Sequence, residues 1–427
     1  MQDKKNLLAI GYVWPEPRSS AAGGHMMQLL QAFVAQGWSI TFASPAGVGE
    51  HKADLAALGI AEQAIELNNS SFDLFIKGLN PHVVLFDRFM MEEQFGWRVE
   101  KHCPTALRVL ETSDLQCLRG ARESLFKTHL KTHAGDDFSP WFNAAQAQAL
   151  TDVAQTDLCL RELAAIYRSD LSLVISEVEI DWLQRQFNVP AALLHWCPLL
   201  VNSAEAGGPE FNQREHMLSI GNFRHAPNWD AVLWLKQAVW PRIRARLPRV
   251  QLHIYGAYTP PKATALHNTA EGFLVKGWAP DALQVMRSAR LALAPLRFGA
   301  GIKGKLVDAM QCGTPSVTTP IGAEGMHGHW PWPGAVATSA EALAEAATKL
   351  YQNETQWHDA QRLGYQLLSA RYESAHHASA LLDHVDRLLQ VLDSHRRVNI
   401  TGQLLRHHHH KSTQYMAQWI EEKNRVR

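Results

Sequence analysis

The sequence predicts an α/β protein made of two doubly wound, Rossmann-like domains that face a central cleft. Three observations carry this. The chain has 427 residues, 46% of them hydrophobic, which exceeds one ordinary core and suits two. Short apolar runs alternate with helical patterns from end to end. The alternation also restarts after a polar, glycine-rich stretch, NSAEAGGPEFNQ (202–213), which reads as a linker.

In the first half the predicted strands are LLAIGYVW (7–14), SITFAS (39–44), VVLFD (83–87), TALRVLE (105–111), LSLVIS (171–176) and AALLHWC (191–197). Between the first two lies GGHMMQLLQAFVAQG, with apolar Met27, Leu30 and Val34 at helical spacing and Gly37 as a C-terminal stop. Strand, helix, strand at this spacing is the βαβ unit of a parallel sheet. In the second half MLSIG (217–221), VQLHIYG (250–256), GFLVKG (272–277), RLALAPL (290–296) and PSVTTP (315–320) read as strands, with NWDAVLWLKQAVWPRIRARL as the first long helix. The expected division is 1–202, 203–370, a helix over 371–395 turned back toward the first domain, and a mobile basic tail, 396–427, holding His407 to His410.

Lys and Arg number 41 and so do Asp and Glu, so no global field for nucleic acid or membrane is expected. The five cysteines form no C-x-x-C pair, and the odd count argues against a disulfide framework. A cytoplasmic location follows as an expectation. The first apolar run is stopped by Pro15 and reads as a buried strand rather than a signal peptide. No apolar stretch is long enough for a transmembrane segment. CLRGARESLFKTHLKTH (117–133) is basic, with Leu118, Leu125, Phe126 and Leu130 interleaved. It reads as an amphipathic helix packed on its own core, or as a peripheral contact with anionic lipid at the inner face of a membrane.

The richest stretch is RFGAGIKGKLVDAMQCG (297–313). Gly299, Gly301 and Gly304 satisfy G-x-G-x-x-G, yet the dinucleotide fingerprint belongs in the first βα turn of its domain and this copy comes late. Gly299, Gly304 and Lys305 satisfy G-x-x-x-x-G-K, but Leu306 stands where a hydroxyl must reach Mg²⁺. A third reading rests on charge. Lys303 and Lys305 at a helix N-terminus are unfavourable unless an anion joins them. A diphosphate fits, because Gly299 and Gly301 let backbone N–H groups approach it. Asp308, one turn on, suits a sugar diol such as ribose. A solvated glycine-rich loop is the bland alternative.

SIGNFRHAPNWDAVLWL, VKGWAPD and RFGAGIKGKLVDAMQCGTPSVTTPIGAEGM resemble the retaining glycosyltransferases of the GT-B fold, in particular family 4, in a branch with a G-A-G-I-K-G-K donor loop. The resemblance is strong over roughly 217–330 and looser in the first half, through the GG-plus-helix start and the ISEVE segment. It implies transfer of a sugar from a nucleotide-diphosphate sugar with retention at the anomeric carbon. The implied donor site is Gly221, Asn222, Arg224, Trp278 and the loop Gly299, Ala300, Gly301, Ile302, Lys303, Gly304 and Lys305, with Asp308 on ribose. The family's paired glutamates correspond to Ala300 and Asp308 here. Its arginine and lysine after the first strand of this domain correspond to Asn222 and Pro227. Lys303, Lys305 and Arg224 stand in for those cations.

The leaving diphosphate needs preorganised donors above all, and Lys303, Lys305 and the Gly301–Lys305 amides are placed to supply them. No cofactor or metal is then required, and no carboxylate cluster for one is visible. The first domain should hold the acceptor. Gly23 and Gly24 open its first helix, as a phosphate-facing turn or a plain tight turn. Asp87, Arg88 and Thr112 stand at strand C-terminal ends, where ligand contacts gather. Glu111, Ser113 and Asp114 follow the same logic, Ser113 as a helix cap and Asp114 as a candidate catalytic residue. The acceptor, whether carbohydrate, lipid, protein or nucleic acid, has no signature. Two other readings stay open: an inactive nucleotide-sugar-binding partner or sensor, and a nucleotide-sugar epimerase of the same fold.

Overall fold

The computed structural model describes residues 4–133, 135–143, 145, 153, 156–202 and 208–425. The linker is described from 208 onward, and its residues 203–207 lie outside the described set. Two parallel sheets form the frame. The first has seven strands in the order β3-β2-β1-β4-β5-β6-β7. These are β1 (Asn6–Ile10), β2 (Ser39–Ser44), β3 (Ala61–Ala64), β4 (Val83–Asp87), β5 (Leu107–Glu111), β6 (Leu171–Val174) and β7 (Leu194–Trp196). The second has six, in the order β10-β9-β8-β11-β12-β13. They are β8 (His216–Ile220), β9 (Leu252–Tyr255), β10 (Phe273–Gly277), β11 (Ala289–Ala294), β12 (Ser316–Thr318) and β13 (Gly334–Val336).

The central strands β4, β5 and β6 are buried along their whole length, as parallel strands covered on both faces must be. Two edge strands were not foreseen. β3 is AEQA, exposed throughout, and β13 is three residues long, so neither shows an apolar run. The long helix of the second half divides into Ala226–Trp234 and Trp240–Arg246 across a π turn, Leu235–Val239. Pro241, which has no N–H to give, opens the second piece.

In both sheets the order reverses at the first strand, between β1 and β4 and between β8 and β11. Ligands of open α/β sheets bind outside the strand C-terminal ends at such points. Asp87, Arg88, Gly221, Asn222 and the loop 297–303 all lie there.

The C-terminal region departs from expectation beyond residue 395. Helix Ser374–Gln390 crosses to the first sheet and buries Leu381, Leu382, Val385 and Leu388 with Leu7, Ala9, Leu29 and Leu30. Beyond it, the described residues 396–425 are no loose tail. The chain there forms the helices Leu392–Val398, Ile400–Leu405 and Lys411–Arg425, joined at the second junction by a π turn holding the four histidines. Ion pairs to the first domain dock this arm. Arg396 forks onto Asp170 at 2.8 and 2.7 Å, Arg406 lies 3.5 Å from Glu100, and His410 pairs with Glu100. Its partners are more than two hundred residues away in sequence, so no local pattern announces the docking.

Candidate active site between the two sheets

The glycine-lysine loop turns at Gly299 and Gly301, whose φ angles of 153° and 62° favour glycine. It opens helix Gly304–Gln311 with Lys303 at the N-cap and no side chain capping the end. A Cβ built on Gly304 would lie 2.7 Å from the Ala21 Cβ. Ala21 is the first residue of helix Ala21–Ala35 in the other domain. Two helix N-termini, each with partial positive charge, therefore converge across the cleft, that of Gly304–Gln311 uncapped and that of Ala21–Ala35 capped by Ser20.

The two lysines behave differently. Lys303 is buried and folds back, its Nζ donating to the carbonyls of Gly301 (2.6 Å) and Ala300 (3.3 Å). Burial pushes its pKa down, against the pull of Glu324. This corrects the expectation that both ammonium groups face a diphosphate. Lys305 donates to the Asn228 Oδ1 at 2.7 Å, beside Gly221, where a Cβ would stand 2.6 Å from Nζ. Burial pushes Lys305 down to about 7, with Asp308 opposing and Lys303 adding. Burial pushes Asp308 up to about 7, with Lys305 opposing. The Asp308 carboxylate has no hydrogen-bond partner among the described residues.

The other donor-side candidates reach across the cleft. The Asn222 side chain donates to the Ser19 carbonyl at 3.3 Å and accepts the Arg224 N–H at 2.8 Å. The Arg224 guanidinium lies 3.5 Å from the Tyr258 ring centroid, and the Tyr258 hydroxyl donates to Glu16 at 2.8 Å. Trp278 donates to the Arg18 carbonyl at 3.2 Å and stacks on His51 with centroids 4.3 Å apart. Ala300 is buried against the first domain's core, and Ile302 is half-buried beside Leu306.

On the first domain several candidates are spent on structure. The N–H groups of Gly23 and Gly24 donate to the Ser20 side chain (3.1 Å) and carbonyl (3.0 Å), so they are not free for phosphate. Gly23 is needed because its Cβ would come 2.7 Å from the Glu16 backbone, while Gly24 faces open space. The Thr112 hydroxyl is tied to the Leu173 carbonyl at 3.0 Å. Ser113 does not cap: it turns left-handed at φ 60° and donates through N–H and hydroxyl to Glu111, while Leu115 is the N-cap of helix Gln116–Thr132. Asp114 is paired with Arg119. Asp87 accepts the Tyr12 N–H at 3.1 Å and lies 3.5 Å from Arg88. Burial raises its pKa, with Arg88 opposing and Glu111 reinforcing. Glu111 faces the His25 Nδ1 at 3.3 Å. Burial disfavours charge on that ring, but Cys197 and Glu111 outweigh it and raise the pKa to about 10.

Two residues escaped the sequence reading. Glu179, in helix Glu177–Phe187, is buried, and its Oε1 accepts the Gly301 N–H at 2.8 Å and the Leu115 N–H at 3.2 Å. Burial and the Asp114 charge lift its carboxyl to about 8. Arg122 forks onto Glu324 at 2.7 and 2.8 Å and donates to the Gly299 carbonyl at 2.9 Å. Arg122 sits in the basic stretch 117–133. That helix buries Leu118 and Phe126 within the protein, while Leu130 stays exposed. Among the described residues no group of three His, Cys, Asp or Glu side chains is arranged to hold a metal. None of the described helices is long and apolar enough to cross a membrane.

Comparison with known proteins agrees with this geometry. Residues 214–353 match the family model described as glycosyl transferases group 1. Among solved structures, a glycosyltransferase from Rickettsia africae superposes with TM-score 0.62 at 10% identity, covering 91% of this chain and 99% of that one. A sucrose-phosphate synthase from Thermosynechococcus elongatus gives 0.62 at 14% identity, covering 91% of this chain and 100% of that one. Anabaena HepE in complex with UDP and glucose gives 0.60 at 12% identity, covering 90% and 100%. A search of curated proteins found no match. The chain thus has the two-sheet GT-B fold, and residues 214–353 within it match the glycosyl transferases group 1 model.

Proposed function

We propose that the protein is a retaining glycosyltransferase, of the family 4 kind, that moves a sugar from a nucleotide-diphosphate sugar to an acceptor. The observation that carries this reading is the meeting of two helix N-termini beside Lys305. Helix Ala21–Ala35 comes from one domain and helix Gly304–Gln311 from the other. A diphosphate there would gain amide donors, two dipole ends and an ammonium, and the charge developing on the leaving group would be met by groups already in place. Lys305 and the first amides of helix Gly304–Gln311 are the leaving-group contacts. Lys303 holds the loop and contributes its charge from behind. Asp308 takes the ribose hydroxyls, and Gly221 keeps the approach clear. Asp87 and Arg88, at the facing strand end, are the acceptor-side candidates. Retention rests on the family resemblance. Helix dipoles and lysine supply the charge, so no metal is required.

Solved relatives of this fold hold UDP and UDP-glucose, so uridine nucleotides are the first donors to test. The experiment is a thermal-shift panel of nucleoside diphosphates and their sugars without metal, run on the wild type and Lys305→Ala. A stabilising nucleotide whose effect disappears in the variant supports the reading. Equal stabilisation of both proteins overturns it.

A further inference from the structure

An open groove of about 560 Å³ lies between helix Phe89–His102 of the first domain and the C-terminal arm, away from the cleft. Its lining has five Lys or Arg side chains, and Glu100 is its one carboxylate. That carboxylate is already shared, with Arg406 at 3.5 Å, Arg108 at 3.8 Å and His410 in close contact. Arg396 is held by Asp170. Lys101, Arg397 and Lys411 have no ion pair among the described residues. Arg406 is 6% exposed, and burial together with Arg108 pulls its pKa down to about 10. The Arg406 guanidinium shares Glu100 and donates to the Arg168 carbonyl at 3.2 Å, and Lys101, Arg397 and Lys411 beside it have no carboxylate of their own, so the site is short of negative charge.

We infer that this groove binds a phosphate-bearing ligand through Arg406, Arg397, Lys101 and Lys411. Guanidinium forks match the paired oxygens of phosphate, and the surplus of cations suits a multiply charged group. Two sources offer this chemistry: a soluble phosphorylated compound, or a phospholipid headgroup at a bilayer surface. The second is raised by the same arm, which exposes Ile400, Leu404, Tyr415 and Trp419. The site is independent of the donor loop.

The test uses full-length protein carrying Lys305→Ala, which silences the donor loop, with and without Arg397→Ala and Lys411→Ala. Both arm residues are exposed, so the variants should fold, and a melting curve checks this. Inorganic pyrophosphate is titrated by calorimetry. Co-sedimentation compares vesicles of phosphatidylcholine alone with vesicles that also contain phosphatidylglycerol. If the arm substitutions weaken pyrophosphate binding by about tenfold or more, the site takes a soluble phosphate. If they instead release the protein from the phosphatidylglycerol vesicles only, it takes a lipid headgroup. If neither probe binds, or both bind equally well with the arm residues replaced, the inference is overturned.

Discussion

The buried carboxyl of Glu179 accepts the backbone N–H of Gly301 at 2.8 Å, joining the first domain to the donor loop of the second. Burial lifts that carboxyl to about 8. Below that pH it is neutral in the folded protein, whereas in the unfolded chain it ionises in the ordinary glutamate range. The native state therefore holds the extra proton. Its stabilising effect is complete below the ordinary range and is lost as pH rises through about 8. Glu179→Gln keeps the acceptor and removes the titration. The wild type should lose stability relative to this variant between pH 6 and pH 9, a range chosen to bracket about 8. Melting curves at the two values check it, and a difference that does not change with pH rejects it.

Lys305 predicts proton uptake. Burial brings its ammonium down to about 7, so at slightly alkaline pH much of it is neutral before ligand arrives. A bound diphosphate favours the charged form and draws a proton in. Calorimetry of nucleoside diphosphate binding in two buffers of different ionisation enthalpy should show that uptake, and affinity should fall as pH rises above about 7. Lys305→Ala should abolish the uptake and cost about 1.5–3 kcal/mol of binding. Unchanged affinity in the variant would remove the phosphate role.

Gly221 predicts a separation of stability from binding. An added Cβ would come 2.6 Å from the Lys305 Nζ and 2.7 Å from the Asn228 side chain. The Lys305 ammonium ends a flexible chain and can swing away, and the Asn228 amide, which donates to the Asn222 carbonyl at 3.0 Å, must shift with it. Gly221→Ala should therefore melt near the wild type yet bind nucleotide about tenfold more weakly, roughly 1.4 kcal/mol. A large drop in melting temperature with affinity retained would contradict it.

Arg122 predicts a stability defect. Its side chain is 3% exposed and that of Glu324 is 11% exposed, so Arg122→Ala leaves a largely buried carboxylate without its fork. The loss should be about 3–5 kcal/mol in urea unfolding. Restoring stability by Arg122→Met with Glu324→Leu would show that the unpaired charge is the cause.

Much of the frame was legible because it repeats. VVLFD and LSLV are runs of apolar residues buried on both faces, and the glycine-lysine loop combines backbone freedom with charge at a helix start. What escaped was short, or distant in sequence. β3 and β13 are an exposed polar tetrapeptide and a tripeptide. Glu179 reads as an ordinary charged helix residue, and only the fold brings it against Gly301, 122 positions away. Thr112 and the two glycines Gly23 and Gly24 looked available because their partners, the Leu173 carbonyl and Ser20, are fixed only once the strand and helix are in place. Lys303 looked like a ligand contact because a sequence gives a side chain's charge but not its direction.

The docked C-terminal arm also bears on how the protein is made. Domains generally fold in order as they leave the ribosome, the first before the second. Here the first domain cannot finish in that order. Its sheet is covered by helix Ser374–Gln390, and Asp170 and Glu100 receive Arg396, Arg406 and His410, which follow both sheets in the sequence. Until residues 374–410 have been made, the first domain carries bare apolar surface there, and Asp170 and Glu100 have Arg108 as their partner without the arm's cations. The two sheets are thus separate in space but not in time: the first to be synthesised is the last to be completed.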